Sequence, residues 1–379
     1  MRNILRYFRK EMMLTLSLLA AAAALIITPP TPQLLKAIDW RTLGTLLMML
    51  CVLEGFKQEH IFRPLIRLAS RLGHMRSMTL FLVFGVFFTS MFVTNDVSLI
   101  IFVPLTILLF RGGRKEKYIL PVLTLENIAA VRGSLLTPFG SPQNLFLYGQ
   151  ASVTAWHFML HMLPLCALSA LLLVGFIFFL YRRDPRETIC ADTEDTPWER
   201  EGRVRRCVYL VLFAMIILVI VTRTELWPWA VAVVLGAVLA VDRKLLLKVD
   251  YVLIITFLCF FVFSSSITAN AEISRVLREA VAGYEYWWAI GLSQLISNVP
   301  ATIVLYPFSG NFAGLIYGAD TAGLCSLIGS LASVINYRMY VRAYPGKGRQ
   351  FIRVFTLISW AFFLLVVVPG FLLSHWPFF

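Results

Sequence analysis

Long apolar runs separated by short clusters of lysine and arginine dominate this sequence, and few folds accept such a chain. Runs such as Phe158 to Tyr181 and Phe351 to Leu373 reach the roughly 20 residues that a bilayer-spanning helix needs. Of the 379 residues, 59% are hydrophobic and only 15% charged, which excludes an ordinary soluble domain. The formal charge of +13 would suit a polyanionic ligand, but the basic residues lie between the apolar runs, as the positive-inside rule predicts. The chain reads as an all-α polytopic membrane protein, with the lipid bilayer as a partner and no nucleic acid.

Two stretches share one pattern. MFVTNDVSLIIFVP (Met91 to Pro104) carries an Asn-Asp pair inside an apolar run, and LISNVPATIVLYP repeats the frame. Thr94-Asn95 matches Ser297-Asn298, and ten residues beyond the hydroxyl residue Pro104 matches Pro307. The arms flanking Thr94-Asn95-Asp96 number about 16 and 14 residues, some 24 and 21 Å as helices, short of a hydrocarbon core about 30 Å thick. Those around Ser297-Asn298 number about 10 and 8. Both stretches are expected to be re-entrant hairpins whose polar tips lie in protein or line a wet cavity.

Each hairpin precedes a helix that cannot stay intact. Tyr118 to Tyr148 contains Gly133, Pro138, Gly140 and Pro142, so TPFGSPQN is expected to be unwound. Gly314 to Arg338 mirrors it, with Gly329-Ser330-Leu331-Ala332-Ser333 where the first copy has Gly140-Ser141-Pro142-Gln143-Asn144. Broken helices expose backbone groups and partial charges to ions. AIDWRTLGTLLMMLCVLEGF likewise resembles KVDYVLIITFLCFFVFSSSI. The first copy enters from outside and the second from the cytoplasm, so the repeats are inverted.

The expected organisation is an N-terminal helix (1–37), a first inverted repeat (38–181), a cytoplasmic linker (182–206), connecting helices (207–249) and a second repeat (250–379). It amounts to about nine spans plus two hairpins. Arg2, Arg6, Arg9 and Lys10 put the N-terminus in the cytoplasm, Met12 to Thr28 is read as an uncleaved helix, and the C-terminus is external. Arg63, Arg67 and Arg71 recur every four residues, as in an amphipathic helix on the cytoplasmic face. The six cysteines form no Cys-x-x-Cys motif, and His157 and His161 share a helix face without an acidic partner, so no metal site is expected. Glu54 reads as interfacial, and Trp227, Trp229, Trp287 and Trp288 as interface anchors.

The hairpin motifs TNDVSLIIFVPL and SNVPATIVLYPF, with LLTPFGSPQNL, resemble the ion transporter superfamily of divalent anion/sodium symporters, citrate carriers and arsenite efflux permeases. The resemblance covers most of Ile38 to Arg342 and implies substrate and coupling ions held between two hairpin tips. In dicarboxylate members the tips carry Ser-Asn-Thr; here those positions are Thr94-Asn95-Asp96 and Ser297-Asn298-Val299. Asp96 introduces a charge, similar to arsenite permeases, and Val299 removes a hydroxyl.

Thr94, Asn95, Ser297 and Asn298, with Ser141, Gln143, Asn144 and Ser330, are therefore the substrate-binding candidates, and Gly140, Gly329, Asp96 and Glu126 those for a coupling Na+ or H+. Asp96 either carries the coupling ion or caps the second hairpin helix. Arg132 is a candidate for attracting an anion. Six residues from Glu126, it faces elsewhere on a regular helix, and each charge has the alternative of satisfying a broken-helix end or a charge in the other repeat. The function expected is a secondary active transporter for a dicarboxylate, citrate or an oxyanion, coupled to H+ or Na+ in a bacterial inner membrane, with a homodimer as a further expectation. Na+/H+ antiport is the alternative and a channel a more distant one. No cofactor is expected, and no Ser/His/Asp set, metal cluster or nucleotide loop supports an enzyme.

Overall fold

The computed structural model describes residues 12–28, 38–61, 68, 72–184, 187–189 and 202–376. The basic N-terminal cluster, the arginine-bearing surface helix and most of the linker lie outside them. Within them the regular structure is helical, apart from one antiparallel bridge between His74 and Thr188.

The first half comprises α1 (Met12–Ile27), α2 (Trp40–Gln58), α3 (Met75–Val93), α4 (Asn95–Gly112), α5 (Ile119–Ser134), α6 (Pro142–Gln150) and α7 (Ala155–Leu180). Helices α8 (Arg203–Thr222) and α9 (Trp227–Val241) follow. The second half comprises α10 (Tyr251–Ala269), α11 (Ala271–Val281), α12 (Glu285–Ile296), α13 (Asn298–Leu305), α14 (Phe312–Ala322), α15 (Leu331–Ala343) and α16 (Gly348–Ser374). Six of these helices are long and apolar enough to cross a membrane. Leu171, Leu218 and Leu357 are exposed while Glu126, Arg132 and Asp320 are fully buried, the reverse of a water-soluble surface.

Local chemistry starts the matching helices alike. Asp39, at φ −78° and ψ 81°, accepts a hydrogen bond from the Thr42 backbone N–H at 2.9 Å, which caps α2. Asp250, at φ −78° and ψ 79°, accepts one from Leu253 N–H at 3.2 Å and caps α10 in the same way. Each cap stabilises its helix by about 1 kcal/mol.

The hairpin regions pack by one plan. In the first half α3, α4 and α5 pack against one another, as α12, α13 and α14 do in the second. Across the halves, α4 packs on α15 and α13 on α6, while α5 meets α15 and α14 meets α6. Each half thus places its second hairpin helix beside the far segment of the other half's broken helix.

Two local expectations change. The first hairpin's arms have 19 and 18 residues, because the helices run on through Met75-Arg76-Ser77 and Arg111-Gly112 beyond the apolar stretch and the second already begins at Asn95-Asp96. At 1.5 Å per residue they reach about 28 and 27 Å, so arm length no longer argues that this hairpin stops short. The second hairpin's arms, with 12 and 8 residues, are close to those read from the sequence. Finally, Pro142-Gln143-Asn144 is helical, not unwound: Pro142 opens α6, where its missing N–H costs nothing, and the Ser141 side chain accepts from Asn144 N–H at 3.4 Å. The breaks run from Leu135 to Ser141 and from Gly323 to Ser330.

Candidate functional site

The two hairpin tips have the same unusual backbone. Thr94 sits at φ 72°, ψ 154° and Ser297 at φ 68°, ψ 158°, a region that is essentially glycine-only and costs on the order of 1–3 kcal/mol for other residues. The following asparagine has the same task in both. Asn95 Oδ1 accepts from Asp96 N–H at 2.9 Å, and Asn298 Oδ1 from Val299 N–H at 3.0 Å. A backbone N–H can only donate, so the oxygen of each amide is the atom engaged, and neither Nδ2 makes a hydrogen bond among the described residues. Thr94 is half-buried, whereas Asn95, Ser297 and Asn298 are buried.

The breaks have the opposite polarity. Asn144 Nδ2 lies 3.1, 3.3 and 3.4 Å from the carbonyls of Ser134, Leu135 and Thr137, gathering those freed when α5 ends. Gln143 Nε2 donates to Asp320 Oδ1 at 3.1 Å. One N–H of Gln143 Nε2 and the Asn144 Nδ2 group are thus engaged, and Asn144 Oδ1 and Gln143 Oε1 stay buried without partners among the described residues. Ser330 Oγ is similarly idle. Ser141 instead spends its oxygen on the α6 cap.

Each tip is tied to its own break. Asn298 N–H donates to the Gly329 carbonyl at 3.2 Å, and Thr137 Oγ1 donates to the Met91 carbonyl beside the first tip. Gly140 and Gly329 permit this compactness: a Cβ at Gly140 would fall 2.4 Å from Ser134 O, and one at Gly329 2.3 Å from Ala322 O. The second break has an additional clamp, Gln294, whose Nε2 donates to Ala322 O at 3.2 Å while its Oε1 accepts from Ser326 Oγ at 2.7 Å.

Asp96 lies in the first turn of α4, half-buried, with Oδ1 buried and unpartnered. No side chain caps α4 from the N-cap position, Thr94. Lys57 and Asp250 are the charges that act on Asp96. Glu126 accepts from Thr106 on α4 through Oε1, and its Oε2 has no partner. Arg132 faces elsewhere, with Nε donating to Ser169 Oγ at 3.2 Å and both Nη atoms idle. The leading charge acting on it is Asp320 of the other half. Glu54 pairs with Lys57 at 2.9 Å.

Asp320, Gln294 and Thr106 were missing from the candidates. Asp320 had a signal, since it is the one charged residue in Phe312–Ala322, the property that made Asp96 conspicuous. Gln294 and Thr106 had none: a single polar residue in a helix says nothing about which carbonyl or carboxylate it meets.

The chain is similar to a transporter family and to membrane proteins of two organisms. The family model for the citrate transporter, CitMHS, matches residues 4–324. The inner membrane protein YbiR of Escherichia coli is 32% identical over 308 residues, covering 80% of each chain. The uncharacterized transporter MJ0456 of Methanocaldococcus jannaschii is 26% identical over 312 residues, covering 81% of this chain and 83% of its own. The Alcanivorax borkumensis YdaH transporter shares the fold with a TM-score of 0.54 at 15% identity, covering 97% of this chain and 98% of its own. The chain is thus a membrane transporter and not an enzyme, and it belongs to the CitMHS citrate transporter family.

Proposed function

We propose that this protein is a secondary active transporter that moves a small anion, a dicarboxylate, citrate or an oxyanion, with Na+ or H+ by alternating access. One observation carries the reading: the tips offer unspent amide donors, Asn95 Nδ2 and Asn298 Nδ2, whereas the first break offers unspent amide acceptors, Gln143 Oε1 and Asn144 Oδ1. Donors replace the water around an anion, and acceptors replace that around a cation. On this reading the substrate lies between Thr94-Asn95 and Ser297-Asn298, and the coupling ion beside Gly140 and Gly329 with Asp96 or Glu126.

The same reading makes residues 38–181 and 250–379 inverted repeats, each with a re-entrant hairpin and a broken helix. The shared tip backbone and matching aspartate caps support it. The distribution of basic clusters supports an inner-membrane protein with a cytoplasmic N-terminus.

Purified protein in proteoliposomes should accumulate labelled citrate, succinate or arsenite only when an inward Na+ or pH gradient is imposed. Absence of gradient-driven uptake for all three would sink the proposal. Na+/H+ exchange is the second reading, favoured by Asp96 and Glu126, whose idle carboxylate oxygens have no basic hydrogen-bond partner. It requires Na+ to collapse a pH gradient in the same vesicles without any anion.

A further inference from the structure

The interior holds one oppositely charged pair that the transport reading does not use. Arg132, on α5, and Asp320, on α14, come from different halves, and both are fully buried. Each is the leading charge acting on the other, yet they are not among the ion pairs of the described residues. A buried charge without an opposite one is costly, and here each offsets the other from a distance. Compensation without contact leaves Asp320 Oδ1 available for another donor.

That donor is Gln143, at 3.1 Å. A primary amide can turn either end towards a ligand, and its neighbours decide which. A carboxylate accepts only, so Asp320 must receive the Nε2 end, and the Oε1 end is left buried and unpartnered. Asn144 is held in the same sense by three carbonyls. Its orientation is set within its own half, whereas that of Gln143 depends on a residue 177 positions away in the other half.

We propose that Asp320, with Arg132 as its nearest opposite charge, is a positioning residue of the transport site: it orients Gln143 so that this amide presents its oxygen to a cation. The ligand part rests on the transport reading above; the orienting contact stands apart from it. The pairing also makes the polarity of the first break depend on how α14 sits against α6.

The test is a double-mutant cycle on the full-length protein with Gln143→Leu, Asp320→Asn and their combination. The readouts are the thermal unfolding midpoint and its half-saturating protection by Na+, titrated against choline, and by citrate at saturating Na+. Each single change should raise half-saturating Na+ about tenfold, and the combination no further than either alone, since Gln143→Leu removes the amide and Asp320→Asn, which donates as well as accepts, no longer fixes which end of it faces the ligand. Half-saturation by citrate should move less than about twofold.

Effects that multiply to about a hundredfold in the combination would overturn the proposal, as would a shift in citrate with none in Na+. If Asp320→Asn alone fails to fold, Arg132→Gln with Asp320→Asn removes both charges and takes its place in the cycle. If neither Na+ nor citrate protects the parent protein, the transport reading and the cation preference fall together. The unfolding midpoints then decide the orienting contact: midpoints that add within about 1 °C overturn it, and non-additivity of several degrees upholds it.

Discussion

The two hairpins share a tip and differ in almost everything around it. Thr94 and Ser297 adopt the same strained backbone, and Asn95 and Asn298 accept from the next residue's N–H. The arms, by contrast, have 19 and 18 residues in the first hairpin and 12 and 8 in the second. The first tip carries Asp96 and a half-buried threonine, whereas the second carries Val299 and a buried serine. Strain kept twice at one position, against a cost that glycine would avoid, points to a requirement of the site and not of the scaffold. The charge present only once marks what the halves do not share.

The severest way to break this equivalence is at the glycines behind the tips. Gly140→Val and Gly329→Val drive a Cβ within 2.4 and 2.3 Å of a backbone oxygen. Because the obstacle is main chain, both should cost at least the roughly 1–3 kcal/mol of an overpacked site. Loss of a monodisperse peak in size-exclusion chromatography, equally for both, is the expected result; tolerance of one alone would mean that the breaks are not packed alike.

Next come Asn95→Ala and Asn298→Ala, each removing the hydrogen bond that Oδ1 accepts from the next residue, worth about 1 kcal/mol, and the idle donor with it. Uptake in proteoliposomes should fall at least about tenfold in both, equivalent to 1.4 kcal/mol. A fall in only one would assign the substrate to a single tip.

Asp96→Asn should preserve the fold and the unfolding midpoint while abolishing the dependence of uptake on pH or Na+. Val299→Asp should not create a second dependence. Uptake by Asp96→Asn that keeps its full response to both gradients would remove the residue from coupling and leave the asymmetry without a functional meaning.

The smallest effect should be a gain. Thr94→Gly and Ser297→Gly relieve the positive φ, and after the entropy of an added glycine each should stabilise by about 1 kcal/mol, a rise of about 2–4 °C. Equal rises would establish equal strain by a measurement independent of transport, and no rise at either would show that the tips are not strained.

Much of this plan was legible in the chain. A charge or an amide inside an apolar run is costly wherever the run is buried, so Asn95-Asp96 and Ser297-Asn298 were conspicuous from composition alone. Gly140 and Pro142 announced a break for the equally local reason that one lacks a Cβ and the other an N–H. Asp320 was visible by the same rule. The extent of the first hairpin was harder to read, because helices continue into polar flanks where hydropathy no longer marks them.

By itself, then, the sequence determined that this chain crosses a membrane, that two of its stretches share one pattern, that helices break near Gly140 and Gly329 and which residues head its hairpins. These are consequences of local covalent chemistry and of the price of polarity in an apolar run. Only the tertiary structure decided which end of each amide is free, because that depends on partners distant in sequence. Gln143 takes its orientation from Asp320, and Arg132 finds its compensating charge in the opposite half. Whether the first break offers donors or acceptors to an ion is therefore a property of the folded pair of halves, decided by contacts that no stretch of sequence contains.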